Sequence, residues 1–212
     1  MLDTAFLLSL TIVIPFIILL VRRKQNETAY RPFLWLMTVG VAAELISKIL
    51  LSYFNVSNAV CSNIYVLAEA LLVLLLFFNW KVINRNTLYT LSVFLAAGWI
   101  IENLVLQKLL VFSPYYRVTA CFIIVILSIR QISILITQER NLLSNARFII
   151  CIGFIVLFVY KIIYEGVYAI SVMRESAFAD VVIDMYSYIN AGINLVFGIG
   201  AWLIPLKRKF DI

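Results

Sequence analysis

Seven separate apolar runs divide this chain, and each approaches the roughly 20 residues that a helix needs to cross a bilayer core. They lie at about 5–21, 32–54, 64–80, 88–106, 116–136, 148–170 and 181–206. Hydrocarbon offers no partner to a backbone N–H or C=O, so a run of this length satisfies its own backbone as a helix. No segment between the runs is long enough for a soluble domain. The expected fold is all-α: one domain over residues 1–212, a bundle of seven transmembrane helices. Composition agrees, because only 13% of the residues are charged and 64% are hydrophobic. A soluble domain usually carries about 25% charged residues to face water.

The charge order sets an expected orientation. Arg22, Arg23, Lys24 and Arg31 follow the first run, Lys81 and Arg85 the third, Arg140 and Arg147 the fifth, and Lys207, Arg208 and Lys209 the seventh. The other connections are poor in base: residues 55–63 have none, 107–113 only Lys108, and 171–180 only Arg174. Basic loops stay in the cytoplasm, so the N-terminus is expected outside and the C-terminus inside. The very short loops suit a bacterial inner membrane. The first run is preceded by Met1-Leu2-Asp3 and followed by basic residues, the reverse of a cleaved signal, so that helix is expected to be retained. Pro15 is expected to kink it. The net charge of +6 sits in flanking clusters rather than on one face, so the expected basic partner is the membrane surface and not nucleic acid.

Several chemistries are disfavoured. Histidine is absent, which removes the commonest general base and metal ligand. Cys61, Cys121 and Cys151 form no CxxC and read as small buried hydrophobes. A retinal Schiff base needs a lysine in the last helix, and none occurs there before Lys207. No GxSxG elbow and no phosphate-binding GxxxxGK[ST] loop occurs. No catalytic residue, metal or cofactor is therefore expected.

What remains is polarity where lipid makes it costly, about 2.5–3.5 kcal/mol for a mid-helix charge. Glu44 and Lys48 lie in the second run, Glu69 in the third, and Glu102 and Asn103 in the fourth. Arg117 begins the fifth, Lys161 and Glu165 occupy the sixth, and Asp184, Asn190 and Asn194 descend the seventh with Ser187. At 1.5 Å per residue these fall in the outer half of the bundle, Asn194 nearest the midplane, while the inner halves are almost purely apolar. Glu44/Lys48 and Lys161/Glu165 are i, i+4 pairs able to neutralise themselves locally. Glu69 and Glu102 have no local cation. Ser187, Asn190 and Asn194 share an arc of one helix, and Tyr160, Tyr164 and Tyr168 form a stripe on another.

The candidate ligand-binding set is therefore Glu44, Lys48, Glu69, Glu102, Asn103, Lys161, Glu165, Asp184, Asn190 and Asn194, in an outward-facing pocket. The carboxylates would take a cationic or hydroxylated small molecule, with Lys161 as counter-ion. The same pairs could instead merely tie helices together. The expected function is a sensor or receptor-like protein that binds a small polar ligand and relays to a cytoplasmic or membrane signalling partner. A small-solute transporter or channel is the alternative, and a carboxylate-dependent enzyme acting on lipid is a weaker one. Residues 63–70 overlie residues 184–191 without gaps, as in a three-plus-one-plus-three helix repeat. Apolar helices resemble one another by composition, and coincidence is the favoured reading of that match.

Overall fold

The computed structural model describes residues 4–106, 109–138, 141–171 and 177–206. Lys108, Arg140, Arg174, Lys207, Arg208 and Lys209, which entered the charge argument, lie outside the described residues. Seven helical segments follow the seven apolar runs. Segment α1 covers residues 4–21 in three pieces, Thr4–Ser9, a 3-10 turn Leu10–Ile12, and Val13–Val21. Then come α2 (Arg31–Tyr53), α3 (Ala59–Asn79), α4 (Arg85–Ile100, continued by a π-helical turn Ile101–Val105), α5 (Pro114–Gln138), α6 (Ala146–Ser171) and α7 (Ala177–Trp202). Among the described residues there is no strand, only an isolated bridge between Asn26 and Leu206.

Five of these segments, α2 to α6, are long and apolar enough to cross a membrane. This chain is a multi-pass membrane protein. The first segment is equally apolar but shorter over Phe6–Val21. The seventh has the length, at 26 residues, and interleaves Asp184, Asn190 and Asn194 with its apolar side chains.

The outside of the bundle is what lipid requires and water would not tolerate. Trp35, Ile46, Phe94, Ile126, Leu195 and Ile199 are among many large apolar side chains left exposed. Charge is turned inward instead: Glu69, Glu102, Arg117 and Glu165 are all buried.

Local irregularities follow from particular residues. Pro15 lacks an N–H and its ring crowds the carbonyl of Thr11, four residues back. The tighter 3-10 turn at Leu10–Ile12 lies at that point, and the Thr11 hydroxyl bonds the carbonyl of Leu8 at 2.7 Å. In α4 the π-turn lets the adjacent residues Glu102 and Asn103 both be buried, at 4% and 1% exposure, although neighbours on an α-helix point about 100° apart. Asn84 caps α4, accepting a bond from the Thr87 N–H at 2.8 Å. Asn84→Ala is expected to lower stability by about 1 kcal/mol in a thermal or denaturant unfolding experiment.

Helix packing closes a ring. α1 packs on α2, α2 on α3, α3 on α5, α5 on α6, α6 on α7, and α7 back on α1. α4 sits outside this ring of six, against α3 and α5. At the Trp202 end the ring is filled by aromatic side chains. Phe33, Phe77, Phe154 and Phe197 are buried and meet edge-to-face at centroid distances of 5.3–6.4 Å. Gly153 lets Phe197 into this plug, since a β-carbon there would sit 2.5 Å from the ring. Arg22 closes the same end, donating to the carbonyls of Ala201, Trp202 and Ile204, where a cation suits the end of α7.

Candidate functional site

At the Thr4 end the ring is not filled. It encloses a cavity of about 270 Å³. Each wall is a helical face set by residue spacing. α3 contributes Ser62, Tyr65, Val66 and Glu69, α6 contributes Phe158, Lys161, Tyr164, Glu165 and Tyr168, and α7 contributes Tyr186, Asn190 and Asn194. Steps of three and four residues keep such side chains on one side of a helix. Glu44 and Ser47 of α2, Asn58 just before α3 and Arg117 of α5 add to the polar lining, and Phe154 and Phe197 of the plug form its floor.

The charged residues pair between helices, not along them. Lys161 Nζ lies 2.8 Å from Glu69 Oε1 and 2.9 Å from Oε2, joining α6 to α3. The Tyr65 hydroxyl donates to Glu69 Oε1 at 3.0 Å. Arg117 Nη1 meets Glu165 Oε1 at 3.1 Å, joining α5 to α6. The expected local neutralisation of Lys161 by Glu165 does not occur, because each has a closer partner on another helix. Glu44 and Lys48 do not pair either. Lys48 turns its ammonium over the ring of Phe6, 4.9 Å from the centroid.

Glu44 is thereby left as the cavity's unmatched carboxylate. Among the described residues no cation comes within ion-pair distance of it. Its neighbours are the Ser9 hydroxyl and, at longer electrostatic range, Lys161 and Tyr186.

Asn63 and Arg117 form a hub absent from the candidate set. Arg117 Nη2 donates to Ser62 Oγ at 2.8 Å and to Asn63 Oδ1 at 2.9 Å, and Ser113 Oγ donates to the same Oδ1 at 3.2 Å. Asn63 Nδ2 donates to the carbonyls of Leu109 and Val111, pinning the α4–α5 connection onto α3. The Trp99 indole donates to the Asn63 carbonyl at 2.9 Å, which brings α4 to the same point. Arg117 also lies over the Phe112 ring, 5.0 Å from the centroid. Its position at the start of an apolar run resembles a membrane-flanking charge, which is why sequence alone undervalues it. Glu165, lacking a local partner once Lys161 is taken by Glu69, was the available signal.

Of the ten candidate residues, six line the cavity: Glu44, Glu69, Lys161, Glu165, Asn190 and Asn194. Asn194 also donates to the Thr11 hydroxyl of α1 at 3.0 Å. Four do not. Lys48 faces Phe6, and Asp184 is exposed on the surface of α7. Glu102 is turned to the first turn of α5, accepting from the Tyr116 N–H at 2.5 Å and the Tyr115 N–H at 3.3 Å. A carboxylate there satisfies free N–H groups and opposes the positive helix end, so Glu102 serves as a cap. Asn103 donates to the carbonyl of Trp99, one turn back. The tyrosine stripe divides as well. The Tyr160 hydroxyl bonds the Val182 carbonyl at 2.8 Å and ties α6 to α7, whereas Tyr164 and Tyr168 face the cavity.

The matched segments of α3 and α7 meet in this cavity. Tyr65 and Tyr186 are equivalent positions in that ungapped match, as are Glu69 and Asn190, and all four line the wall. No protein-family model matches this sequence, and comparison with curated proteins and with solved structures finds no match. The functional reading therefore rests on the cavity itself.

Proposed function

We propose that this protein is a receptor-like membrane protein that binds a small polar ligand in the cavity and relays its presence to a cytoplasmic or membrane partner. The N-terminus lies outside and the C-terminus in the cytoplasm of a bacterial inner membrane, so the cavity belongs to the outer half of the bundle. One observation carries the reading. Two buried ion pairs span α3, α5 and α6 around a hollow, and a third carboxylate, Glu44, stands in the wall with no counter-ion among the described residues. Charges placed solely to tie helices together would leave neither the hollow nor the unmatched group.

The relay has a physical route. A ligand touching α2, α3, α6 and α7 at once biases their relative positions, and α7 ends in the carbonyls held by Arg22 of the basic α1–α2 loop. The test is thermal unfolding of the purified protein with amino acids, sugars, amines and metal ions. A ligand that binds only the folded state raises the midpoint by mass action, by about 2.7 kcal/mol of stability at a hundredfold excess over Kd. A stabilising ligand whose effect is lost in Glu69→Gln is the expected result. No response to any class would overturn the reading.

The ring and the matched α3 and α7 positions favour a second reading, a small-solute transporter with the aromatic plug as its closed gate. Flux of a stabilising ligand into proteoliposomes separates the two. A receptor binds without flux.

A further inference from the structure

We infer that the ligand of this cavity is a small organic monocation, an ammonium compound, held by Glu44 against the tyrosine wall. The inference rests on the reading of the cavity as a ligand site and adds the ligand's charge and chemical class. Among the described residues the charged lining contains three carboxylates, Glu44, Glu69 and Glu165, and two cations, Lys161 and Arg117. Both cations are already engaged. Lys161 holds both oxygens of Glu69, and Arg117 divides its guanidinium among Glu165, Ser62 and Asn63. An anionic ligand would have to displace Glu69 or Glu165 from a buried partner. A monocation displaces nothing.

Glu44 is the remaining group. A lone ionised carboxylate in a poorly solvated wall is costly, and either a bound proton or a bound cation relieves that cost. A cationic ligand therefore competes only with a proton. The surroundings select the kind of cation. Tyr186 stands within electrostatic reach of Glu44, and its ring lies 4.9 Å from that of Tyr164. Tyr65 and Tyr168 line the same cavity. Aromatic faces attract organic ammonium groups through the ring quadrupole and cover their alkyl surface. Metal ions need a shell of oxygen ligands instead, and among the described residues no group of three or more acidic or cysteine side chains could hold one. The two resident cations already use ring faces: Lys161 lies 4.9 Å from the centroid of Phe158 and 6.0 Å from that of Tyr65, and Arg117 lies 5.0 Å from that of Phe112. At about 270 Å³ the cavity lies just below the usual range for drug-sized ligands, which fits a compact amine.

The experiment is a thermal-unfolding and calorimetric titration of the purified full chain in lipid nanodiscs. The cationic probes are ethanolamine, choline and tetramethylammonium. The controls are 3,3-dimethylbutan-1-ol, which has the shape of choline without its charge, 3,3-dimethylbutanoate, and sodium and potassium chloride at matched ionic strength. At least one cationic probe is expected to bind saturably and at least tenfold more tightly than the neutral isostere. Glu44→Gln is expected to weaken it at least tenfold while leaving the unliganded midpoint unchanged or higher, and Glu44→Asp to retain part of the affinity. Binding of the neutral or anionic controls as tight as that of the cations, or undiminished cation binding by Glu44→Gln, would overturn the cation assignment and leave the ligand-site reading standing. Silence from every probe here would overturn the cation assignment, and the ligand-site reading falls only if the wider screen of amino acids, sugars and metal ions is silent as well.

Discussion

Replacing Lys161 with methionine is expected to destabilise the protein by about 3–5 kcal/mol, because it strands Glu69 without its counter-ion inside the bundle. Glu69 is 5% exposed, so water does not take over the lost contact. The loss is mostly the cost of an uncompensated charge and not the intrinsic worth of the pair. The double replacement Lys161→Met with Glu69→Gln is therefore expected to recover most of it. Arg117→Leu belongs to the same class and removes more, since Glu165 and Ser62 lose the guanidinium and Asn63 Oδ1 is left with Ser113 alone. Unfolding in a defined detergent, followed by tyrosine and tryptophan fluorescence, measures all of these. Equal stability of the Lys161→Met protein and the unmodified one would mean that the Glu69 carboxylate does not need Lys161 as its counter-ion.

The second large effect concerns the plug. Phe197→Ala is expected to cost about 3–5 kcal/mol, the range for emptying a buried aromatic site. Phe197 is 2% exposed and touches Phe33 and Phe154, so the space left behind cannot collapse cheaply. The opposite error is costly at the same place. Gly153→Ala puts a methyl group 2.5 Å from the Phe197 ring, and the overpacking is expected to cost about 1–3 kcal/mol. Phe197→Leu introduced together with Gly153→Ala is expected to restore part of that loss, since the smaller side chain makes room for the methyl. Additive losses in the pair would place the Gly153 clash elsewhere.

The helices were legible in the sequence because lipid leaves few alternatives. A 20-residue apolar run has one way to satisfy its backbone, and residue hydropathy alone reveals it. Partnership was harder to read. Helical periodicity says which side chains share a face: of the arc Ser187, Asn190 and Asn194 the last two line the cavity, and of the stripe Tyr160, Tyr164 and Tyr168 the last two do. It does not say which face lies opposite. Lys161 and Glu165 lie one turn apart, yet they pair with Glu69, 92 residues away, and Arg117, 48 residues away. Only the ring order supplies those partners. Glu102 shows the converse. Its position alone makes it resemble Glu69, both being carboxylates in apolar runs without a nearby cation. The chain following the π-turn presents it with free N–H groups of α5 rather than with a hollow. Glu44 emerges by subtraction, once the neighbouring charges among the described residues have found partners elsewhere.

We propose that the polar cavity is reached from the outer face and closed on the cytoplasmic side by aromatic packing. Cysteine accessibility tests it most directly. In a chain whose Cys61, Cys121 and Cys151 are alanine, Ser47→Cys and Asn190→Cys probe the cavity wall and Phe154→Cys its floor. A membrane-impermeant thiol reagent added to the outer face of sealed vesicles should modify Ser47→Cys and Asn190→Cys. The same reagent confined to the inner face should modify none of the three. Labelling of the two wall positions from the inner face, or by lipid-soluble reagents alone, would contradict the account.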